Sequence, residues 1–434
     1  MDDWVRAAAR ERPDHPAVVA DDGELTYRQL DEEASRAARR LAALGVEQGD
    51  RVMTTLAAGA AFAALLHAAP RVGAVLVPFD PRLEPAGGGL VVAEPLDGEE
   101  ADVPLRTELD PAVPHTVVYT SGTTSEPHAV ELTVGNHHAS ALASARALGV
   151  EPGDRWLCVL PPFHVGGLAI LLRSAIYATT AVVHDGFDAD RVREALEAGQ
   201  TTVASFVSTM LHRLRDVGLQ SAPALRVALL GGGPIPVDLL DWARARGLPV
   251  APTYGMTETA SQIVTVPPAD ALRGERAGQP LEGVDLRIAP GGEIHVRGPM
   301  VAPAERAEDG WLHTGDLGAL DDRGRLTVAG RLKDVIVSGG ENVMAGRVED
   351  VLRGHPAVAD VGVAGLPDAE WGERVAAWVV LRTDVPGEEL VARCRARLAP
   401  FEVPKEIHPV AELPRNAAGK LVRSRLARPP AADG

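Results

Sequence analysis

The length, composition and charge of this chain limit what it can be. With 434 residues it is too long for one ordinary hydrophobic core, so we expect two or three folding units. Its 60 acidic residues against 43 basic ones give a net charge of −17, which argues against nucleic acid or an anionic membrane as the main partner. Two distant cysteines, Cys158 and Cys394, indicate a reducing compartment and no disulfide framework.

Neither a signal peptide nor a membrane span is expected from the apolar patterning. The first 14 residues are charged and lack an apolar core. The longest apolar runs, at residues 56–66 and 168–183, are broken early, the second by Arg173. Neither approaches the roughly 20 residues that cross a bilayer. We therefore expect a cytoplasmic protein without stable membrane insertion.

Helical and strand patterns alternate through the first half of the chain. Thr26 and Gln29 have the spacing of a capping box before a helical pattern that ends near Gly45. Strand patterns at residues 52–56 and 74–77 flank an alanine-rich helix. The alternation predicts an α/β fold with a largely parallel sheet.

A nine-residue sequence occurs twice. ALGVEQGDR occupies residues 43–51, and ALGVEPGDR occupies residues 147–155. Each copy joins the end of a helical pattern to an apolar strand pattern. Either one helix–turn–strand solution recurs by chance, or the chain contains two similarly wound α/β subdomains.

The pattern changes twice in the second half of the chain. Short strand patterns and Gly/Asp turns from about residue 283 to 329 predict a small β-rich subdomain. Residues 330–334 then precede a segment of about 100 residues with strand and helix patterns of its own, enough for a small domain. We therefore predict a large N-terminal domain at residues 1–330 and a small, mobile α+β domain at residues 331–434.

A loop of small hydroxylated residues follows the strand pattern that begins at residue 117. Thr120, Ser121, Gly122, Thr123 and Thr124 offer little volume but many backbone and hydroxyl donors, a composition that can wrap a polyanion. On composition alone, a polar surface turn is the alternative.

Five motifs in a fixed order carry a family resemblance. They are the loop just described, YGMTE at residues 254–258, TGD at 314–316, GRLKD at 330–334 and PRNAAGK at 414–420. The series resembles the adenylate-forming acyl-CoA synthetase superfamily over residues 26–425. The resemblance implies that a small-molecule carboxylic acid is joined to AMP from ATP, with Mg²⁺, and that the thiol of CoA then displaces AMP.

The resemblance also implies roles for individual residues. Lys420 would be catalytic, between the substrate carboxylate and the phosphate, and Glu258 would be catalytic and hold Mg²⁺. Lys333 would be the hinge between the two domains. The residues implied in CoA binding are Ser338, Gly339 and Gly340. Those implied in ATP binding are Thr120, Ser121, Gly122, Thr123, Thr124, Gly232, Tyr254, Gly255, Thr257, Asp316 and Arg331.

Two stretches of sequence indicate which carboxylic acid is the expected substrate. PPFHVGGLAILLR at residues 161–173 and YGMTETASQIVT at residues 254–265 resemble the o-succinylbenzoate–CoA ligases of menaquinone biosynthesis. That substrate carries a keto group and a second carboxylate. The resemblance implies that the acyl pocket includes His164, Gly231, Gly233, Thr253 and Ser261. Whether His164, Thr253, Ser261 or an ordered water contacts the second carboxylate stays open.

Three alternatives remain from the sequence: another aryl- or acyl-CoA synthetase, a stand-alone enzyme that loads a carrier protein, and a degenerate nucleotide-binding relative. The last is suggested by the loop, where the family's Thr-Gly-x-Pro-Lys-Gly is replaced by TSEPHA at residues 124–129. The family's lysine and two of its glycines are missing here, which removes a charged contact to phosphate, whereas Lys420, Glu258, Asp316 and Arg331 are all present. We therefore predict an active enzyme with a weakened hold on the β- and γ-phosphates. The oligomeric state stays open, with a homodimer as one alternative.

Overall fold

The computed structural model describes residues 1–82, 89–120, 128–415 and 421–426. The fold is mixed α/β with a large N-terminal and a small C-terminal part, which confirms the predicted fold class. One compact unit comprises Met1–Ile235, Leu239–Leu286 and Val296–Leu312. The other comprises Pro236–Asp238, Arg287–His295 and His313–Gly434. The boundary after residue 330 and the mobility of the C-terminal domain stay predictions.

Eleven α-helices lie within the described ranges. They are α1 (Trp4–Glu11), α2 (Tyr27–Ala43), α3 (Ala60–Val72), α4 (Val134–Leu148), α5 (Val165–Tyr177), α6 (Ala189–Glu197), α7 (Ser208–Asp216), α8 (Val237–Ala245), α9 (Pro268–Leu272), α10 (Ala345–Arg353) and α11 (Gly387–Arg395). Short 3₁₀ helices cover Thr257–Thr259, Pro303–Glu305, Leu332–Asp334 and Arg423–Arg425.

The same ranges contain 23 strands. They are β1 (Pro16–Ala20), β2 (Gly23–Thr26), β3 (Arg51–Thr54), β4 (Val75–Pro78), β5 (Leu90–Val92), β6 (Pro114–Thr120), β7 (His128–Thr133), β8 (Arg155–Cys158), β9 (Thr180–Val183), β10 (Val203–Val207), β11 (Val227–Gly231), β12 (Val250–Met256), β13 (Ser261–Thr265), β14 (Gln279–Pro280), β15 (Asp285–Ile288), β16 (Glu293–Arg297), β17 (Leu312–Leu320), β18 (Leu326–Arg331), β19 (Val335–Ser338), β20 (Glu341–Met344), β21 (Val358–Asp368), β22 (Gly372–Leu381) and β23 (Glu406–Pro409).

Two sheets form the framework of the first unit. One has the order β5-β3-β4-β6-β7, and its strands are parallel except for the antiparallel pair of β6 and β7. The other has the order β14-β13-β12-β11-β10-β8-β9-β1-β2 and is parallel from β12 to β1. Parallel strands with helical crossovers are what the alternating sequence pattern predicted.

Local signals in the first helices agree with the structure. The Thr26 side chain accepts a hydrogen bond from the N–H of Gln29, and the Gln29 side chain accepts one from the N–H of Thr26, so the predicted capping box is confirmed. Leu30, Ala34 and Leu41 are buried on the inner face of α2. The alanine-rich α3 lies between β3 and β4, as predicted.

Both copies of the repeated sequence form the same turn. The Asp50 carboxylate accepts a hydrogen bond from Glu47 N at 2.8 Å, and the Asp154 carboxylate accepts one from Glu151 N at 2.9 Å. The first copy leads from α2 into β3 and the second from α4 into β8, so the copies enter different sheets. This placement is the one expected from two similarly wound α/β subdomains.

Later strands form two further sheets. The predicted β-rich region at residues 283–329 contains a sheet with the order β15-β16-β17-β18. The C-terminal segment contains a sheet with the order β20-β19-β22-β21, and β23 pairs in parallel with β22. Helices α10 and α11 supply Val348, Leu352 and Leu390 to the core of this sheet. No helix among the described residues is long and apolar enough to span a membrane.

Candidate active site

The predicted phosphate loop lies between β6 and β7. Thr120 is the last residue of β6 and pairs in register with His128, the first residue of β7. The predicted ATP-binding residues Ser121, Gly122, Thr123 and Thr124 lie outside the described residues. His128 Nε2 lies 2.8 Å from a carboxylate oxygen of Glu305, and its side chain is 55% exposed. The residue that stands in place of the family's lysine therefore faces an acidic neighbour.

Several predicted ligand-binding residues follow the carboxyl ends of two parallel strands. Gly231 ends β11 and is followed by Gly232 and Gly233, while Thr253, Tyr254 and Gly255 form the end of the adjacent β12. In open α/β sheets this edge is where ligands bind. The Thr253 hydroxyl donates to Val264 O at 2.9 Å and lies 3.0 Å from the Thr265 hydroxyl, so protein partners already engage it.

Gly255 is required by a close backbone approach. A Cβ atom at this position would lie 2.0 Å from Ser261 O, because β12 and β13 pair tightly here. Ser261 itself has a φ of 106°, which is unusual for a residue with a side chain. The short chain path from β12 to β13 therefore fixes the backbone around the predicted Mg²⁺ ligand.

That ligand, Glu258, lies with Thr257 in the 3₁₀ helix Thr257–Thr259. The buried Thr259 hydroxyl lies 3.0 Å from Met256 O and 2.8 Å from Ser261 O, and it accepts a hydrogen bond from Met256 N. Glu258 O accepts a hydrogen bond from Ala302 N at 2.8 Å. The turn is held by the Thr259 hydroxyl and by the backbone hydrogen bond at Glu258, whose side chain is half-buried.

His164 is the N-cap residue of α5 and makes no side-chain cap hydrogen bond. Its carbonyl accepts from the N–H groups of Gly167 and Leu168, at 3.0 and 3.1 Å. The imidazole packs edge-to-face on the ring of Phe163, with 4.8 Å between centroids. The backbone of this turn thus closes the first turn of the helix, and the imidazole of His164 is half-buried beside it.

Arg173, on the same helix, is a buried residue that was not among the predicted site residues. It is 3% exposed, donates to Gln262 Oε1 at 2.8 Å and to the Ser140 hydroxyl at 3.0 Å, and lies 5.8 Å from the centre of the Trp156 ring. All three of these neighbours are uncharged, and Arg173 has no carboxylate partner in the described part of the chain. Burial lowers the pKa of its guanidinium. The signal in the sequence was a single charge within the apolar run at residues 168–183.

In the second unit, the structure pairs two of the predicted ATP-binding residues, Asp316 and Arg331. Asp316 and Arg331 are opposite each other on β17 and β18, with 3.2 Å between Arg331 Nε and Asp316 Oδ1. Asp316 N donates to the Thr314 hydroxyl at 3.1 Å, and that hydroxyl donates to Ile294 O at 2.7 Å. Asp316 is 6% exposed, whereas the Arg331 side chain is 53% exposed. The Arg331 guanidinium thus forms an ion pair with the buried Asp316 carboxylate and orients it.

The predicted hinge and CoA-binding residues lie on neighbouring elements of the second unit. Lys333 is exposed in the 3₁₀ helix Leu332–Asp334, and desolvation followed by the Arg331 charge lowers its pKa. Ser338 ends β19, and Gly339 and Gly340 have φ values of 63° and 83°, which favour glycine. Their predicted roles in CoA binding and hinge motion stay predictions.

An aromatic side chain packs on this glycine turn. Gly339 N donates to Trp371 O at 2.8 Å, and a Cβ on Gly339 would lie 2.8 Å from the Trp371 ring. The Lys405 ammonium lies 4.5 Å from the centre of the same ring. The sequence analysis identified neither Trp371 nor Lys405. The turn is therefore bordered by a flat apolar surface and a cation.

Lys420 lies outside the described residues, but its flanks do not. Arg415 and Leu421 form an antiparallel bridge, and Val422 N donates to Pro414 O at 2.9 Å. Arg423 pairs with Asp334 at 2.6 Å and with Glu349 at 2.8 Å. The chain on both sides of the predicted catalytic lysine is thus fixed to the second unit.

Sequence comparison identifies the family. A family described as AMP-binding enzyme matches residues 5–87 and 86–304, and its C-terminal domain matches residues 347–420. The chain belongs to the AMP-binding enzyme family. This confirms the predicted resemblance to the adenylate-forming superfamily.

Relatives share both length and fold with the chain. A 2-succinylbenzoate–CoA ligase of Bacillus cereus is 38% identical over 98% of this chain and 98% of its own length. A structure of the o-succinylbenzoate CoA synthetase from Bacillus subtilis with its acyl-adenylate intermediate is 34% identical, with a TM-score of 0.92 and coverage of 99% and 98%. The same enzyme with ATP and magnesium is also 34% identical, with a TM-score of 0.88 and coverage of 98% and 99%.

Proposed function

We propose that this chain activates o-succinylbenzoate with ATP and transfers the acyl group from the adenylate to CoA, a step of menaquinone biosynthesis. It is an AMP-forming acyl-CoA ligase with ATP, Mg²⁺ and CoA as co-substrates. The observation that carries this conclusion is 38% identity to a 2-succinylbenzoate–CoA ligase along nearly the whole of both chains. The fold of the Bacillus subtilis synthetase, solved with the adenylate of the same acid, agrees with it.

The first half-reaction brings two anions together. A substrate carboxylate attacks the α-phosphate of ATP and pyrophosphate leaves, so the protein must supply positive charge and oriented donors. We assign the mobile charge to Lys420, because an ammonium on a long stem can reach both anions. Thr257 is assigned to the α-phosphate and Tyr254 to the adenine. Asp316, held by Arg331, accepts hydrogen bonds from the ribose hydroxyls.

Mg²⁺ suits the residues that are present. It is a hard cation with oxygen ligands, and the half-buried Glu258 carboxylate extends from a turn that its own backbone fixes. When bound, the ion would neutralise charge on the phosphates of ATP. Glu258 would hold it, while Thr257 in the same turn contacts the phosphate.

The second half-reaction transfers the acyl group to a thiol. We assign the glycine turn of Gly339 and Gly340, after Ser338, to CoA. Trp371, packed on that turn, would provide a flat apolar surface for CoA. Lys405 would provide a positive charge for the phosphates of CoA. Lys333 is assigned as the hinge that exchanges the two half-reactions.

The second carboxylate of o-succinylbenzoate needs a partner, and Arg173 supplies a buried cation. A buried guanidinium with only neutral neighbours carries an uncompensated charge, which an anionic ligand can neutralise. Gln262, which accepts from Arg173, directly follows Ser261, a residue assigned to the acyl pocket. Thr253 is less suited, since its hydroxyl already donates to Val264 O. We therefore assign recognition of the second carboxylate to Arg173.

The proposed reaction is tested directly with purified protein, ATP, Mg²⁺, CoA and o-succinylbenzoate. We expect the o-succinylbenzoyl thioester of CoA by mass spectrometry, with AMP and pyrophosphate as co-products. Lys420→Ala should lower the adenylation rate by at least 100-fold, while Lys405→Ala should leave that half-reaction within 3-fold. Equal turnover of simple benzoates would refute the substrate, and transfer to a carrier protein but not to free CoA would refute the thiol acceptor.

The altered phosphate loop gives a separate prediction. A lysine at position 128 would restore one charge-assisted phosphate contact, worth on the order of 1.5–3 kcal/mol. We expect His128→Lys to lower the KM for ATP by roughly 10- to 100-fold and to leave the KM for the acid unchanged. Glu305→Gln is the control, because it removes the partner of His128 without adding a cation. A higher KM for ATP in His128→Lys would contradict the account of the loop.

We also propose a cytoplasmic location. Cys158 and Cys394 are both buried thiols, and burial raises the pKa of Cys158 to about 12 and that of Cys394 to about 11. Such thiols are inert and need no oxidising compartment. A homodimer stays a prediction that sedimentation of the purified protein would test.

A further inference from the structure

Three potential metal ligands lie on two adjacent strands of the sheet β15-β16-β17-β18. Glu293 and His295 are two residues apart on β16, a spacing that places both side chains on one face of a strand. His313 is on the neighbouring β17. One ligand atom from each side chain lies within 4.8 Å of those of the other two. The His295 and His313 rings are stacked, with 3.9 Å between centroids and 11° between planes.

We propose that Glu293, His295 and His313 bind a divalent transition-metal ion of the Zn²⁺ class. Two imidazoles and one carboxylate suit Zn²⁺, Co²⁺ or Ni²⁺, whereas Mg²⁺ prefers oxygen ligands alone. The site is therefore distinct in chemistry from the Mg²⁺ ligand assigned to Glu258. Three protein ligands leave the fourth position of a tetrahedral ion to water.

A small movement completes the site. Ligand atoms around a tetrahedral Zn²⁺ at about 2.0–2.2 Å lie roughly 3.5 Å from one another. The Glu293 Oε2 and His295 Nε2 atoms are already 3.3 Å apart, so the movement needed is that of His313, whose ligand atom lies within 4.8 Å of the other two. Because the two rings are stacked, their nitrogen lone pairs lie in nearly parallel planes and do not point at one common ion. One ring therefore has to rotate before both can bind it. His313 is the exposed member of the pair and His295 the buried one, so the ring of His313 makes this rotation.

The carboxylate also connects the proposed ion to the turn that carries Asp316. Glu293 Oε1 accepts a hydrogen bond from Gly315 N at 2.9 Å, while Oε2 lies 3.3 Å from His295 Nε2. Binding of the ion through Oε2 leaves Oε1 in place on Gly315. The ion would thus tie the Thr314-Gly315-Asp316 turn to β16 through an outer hydrogen bond, an arrangement typical of metal ligands.

The guanidinium of Arg287 disfavours binding of the proposed ion. An Arg287 guanidinium nitrogen lies 3.2 Å from His295 Nδ1 and donates to it. When Nε2 binds a metal ion, the ring proton is on Nδ1, so this arginine contact has to be given up. Arg287 is exposed on β15, and its removal should strengthen binding without loss of the fold.

The test is a titration of the full-length, metal-stripped chain with Zn²⁺ in competition with a chromophoric chelator, repeated with Co²⁺ for its absorption spectrum. We expect one equivalent to bind, with a tetrahedral Co²⁺ spectrum. His313→Gln should weaken Zn²⁺ binding at least 10-fold and abolish that spectrum. Arg287→Gln should tighten binding. The readout is binding, so its outcome is independent of the proposed ligase activity.

A matched control is available on β23. Glu406 and His408 have the same two-residue spacing, with 3.0 Å between His408 Nε2 and Glu406 Oε2, but among the described residues no third potential ligand completes a group with them. His408→Gln should therefore bind Zn²⁺ as the wild type does. Equal loss in His313→Gln and His408→Gln, or no loss in His313→Gln, would overturn the proposal. Circular dichroism of each variant confirms that the fold is retained.

Discussion

Arg71 and Arg173 are both buried in the first unit, at 0% and 3% exposure, but their charges have opposite surroundings. Arg71 donates to both oxygens of Asp3, at 2.8 and 3.1 Å, and to an Asp31 carboxylate oxygen at 2.6 Å. It also donates to Ser35 Oγ at 2.7 Å. Its positive charge is fully compensated within the protein.

Arg173 has the same burial without that compensation. Its hydrogen bonds go to the amide oxygen of Gln262 and the hydroxyl of Ser140, both neutral. Burying an ion pair costs desolvation free energy, part of which the attraction between the two charges recovers. A buried cation among neutral groups has the same kind of cost without that recovery. Charge compensation, and not burial, therefore distinguishes the structural Arg71 from Arg173, to which we assign an anionic ligand.

The largest effect is expected when the compensated arginine is removed. Arg71→Met would leave the Asp3 carboxylate buried without its partner, and we expect the free energy of unfolding to fall by about 3–5 kcal/mol. Urea denaturation followed by circular dichroism measures this loss. The kcat/KM of the protein that remains folded should stay within 3-fold of wild type, because Arg71 has no role in ligand binding.

A substitution of Asp31 also tests the structural role assigned to Arg71. Its side chain is 29% exposed, against 3% for Asp3. Asp31→Asn should therefore cost less stability than Arg71→Met. If Arg71→Met were as stable as the wild type, or if it changed the KM for the acid, the assignment of Arg71 as structural would be wrong.

Removal of Arg173 should have the opposite effects, a small change in stability and a large loss of activity. Arg173→Met removes a buried charge as well as two hydrogen bonds, so we expect stability within about 1 kcal/mol of wild type. Loss of the contact to the second carboxylate should lower kcat/KM for o-succinylbenzoate by about 100-fold, equivalent to about 2.7 kcal/mol. Steady-state kinetics at saturating ATP and CoA measure this change.

An analogue isolates the carboxylate. 4-Oxo-4-phenylbutanoate keeps the acid that is activated and the keto group but lacks the carboxylate on the ring. The wild type should prefer o-succinylbenzoate strongly, and Arg173→Met should lose most of that preference. Equal losses for both acids would show that Arg173 supports the pocket without contacting the second carboxylate.

Much of the fold followed from local signals. The capping box at Thr26, the alternation of strands and helices, and the β-rich region after residue 283 each depend on neighbours in sequence, and all three are found in the structure. The order of motifs likewise indicated the family, because five spaced motifs rarely coincide by chance. The repeated nine residues form the same turn twice, since the N–H groups of Glu47 and Glu151 each donate to the carboxylate of the aspartate three residues later.

Long-range partnerships could not be predicted in the same way. Arg71 and Arg173 each interrupt an apolar stretch, and nothing beside them in sequence distinguishes them. Their difference depends on Asp3, 68 residues from Arg71, and on Gln262, 89 residues from Arg173. The contact of Trp371 with Gly339 and the cluster of Glu293, His295 and His313 arise in the same way, from strands that only the tertiary fold brings together.

The smallest effect concerns pH and tests compensation at Asp3 itself. Burial alone would raise the pKa of Asp3, but the charge and hydrogen bonds of Arg71 outweigh burial and bring it below its usual 3.8. A carboxyl group with a depressed pKa in the folded state stabilises the protein above pH 3.8, and this contribution disappears as the pH falls through the folded value.

We therefore expect the stability difference between wild type and Asp3→Asn to be constant from pH 7 to about pH 5 and to shrink below about pH 4. Denaturation in urea at each pH gives both curves, and subtraction removes the contribution of titrating groups that do not interact with Asp3. Asp50→Asn, at the exposed aspartate of the first repeat, should show no comparable difference at any pH. A difference for Asp3→Asn that grew on acidification would mean that burial outweighs Arg71, and that Arg71 is no better compensated than Arg173.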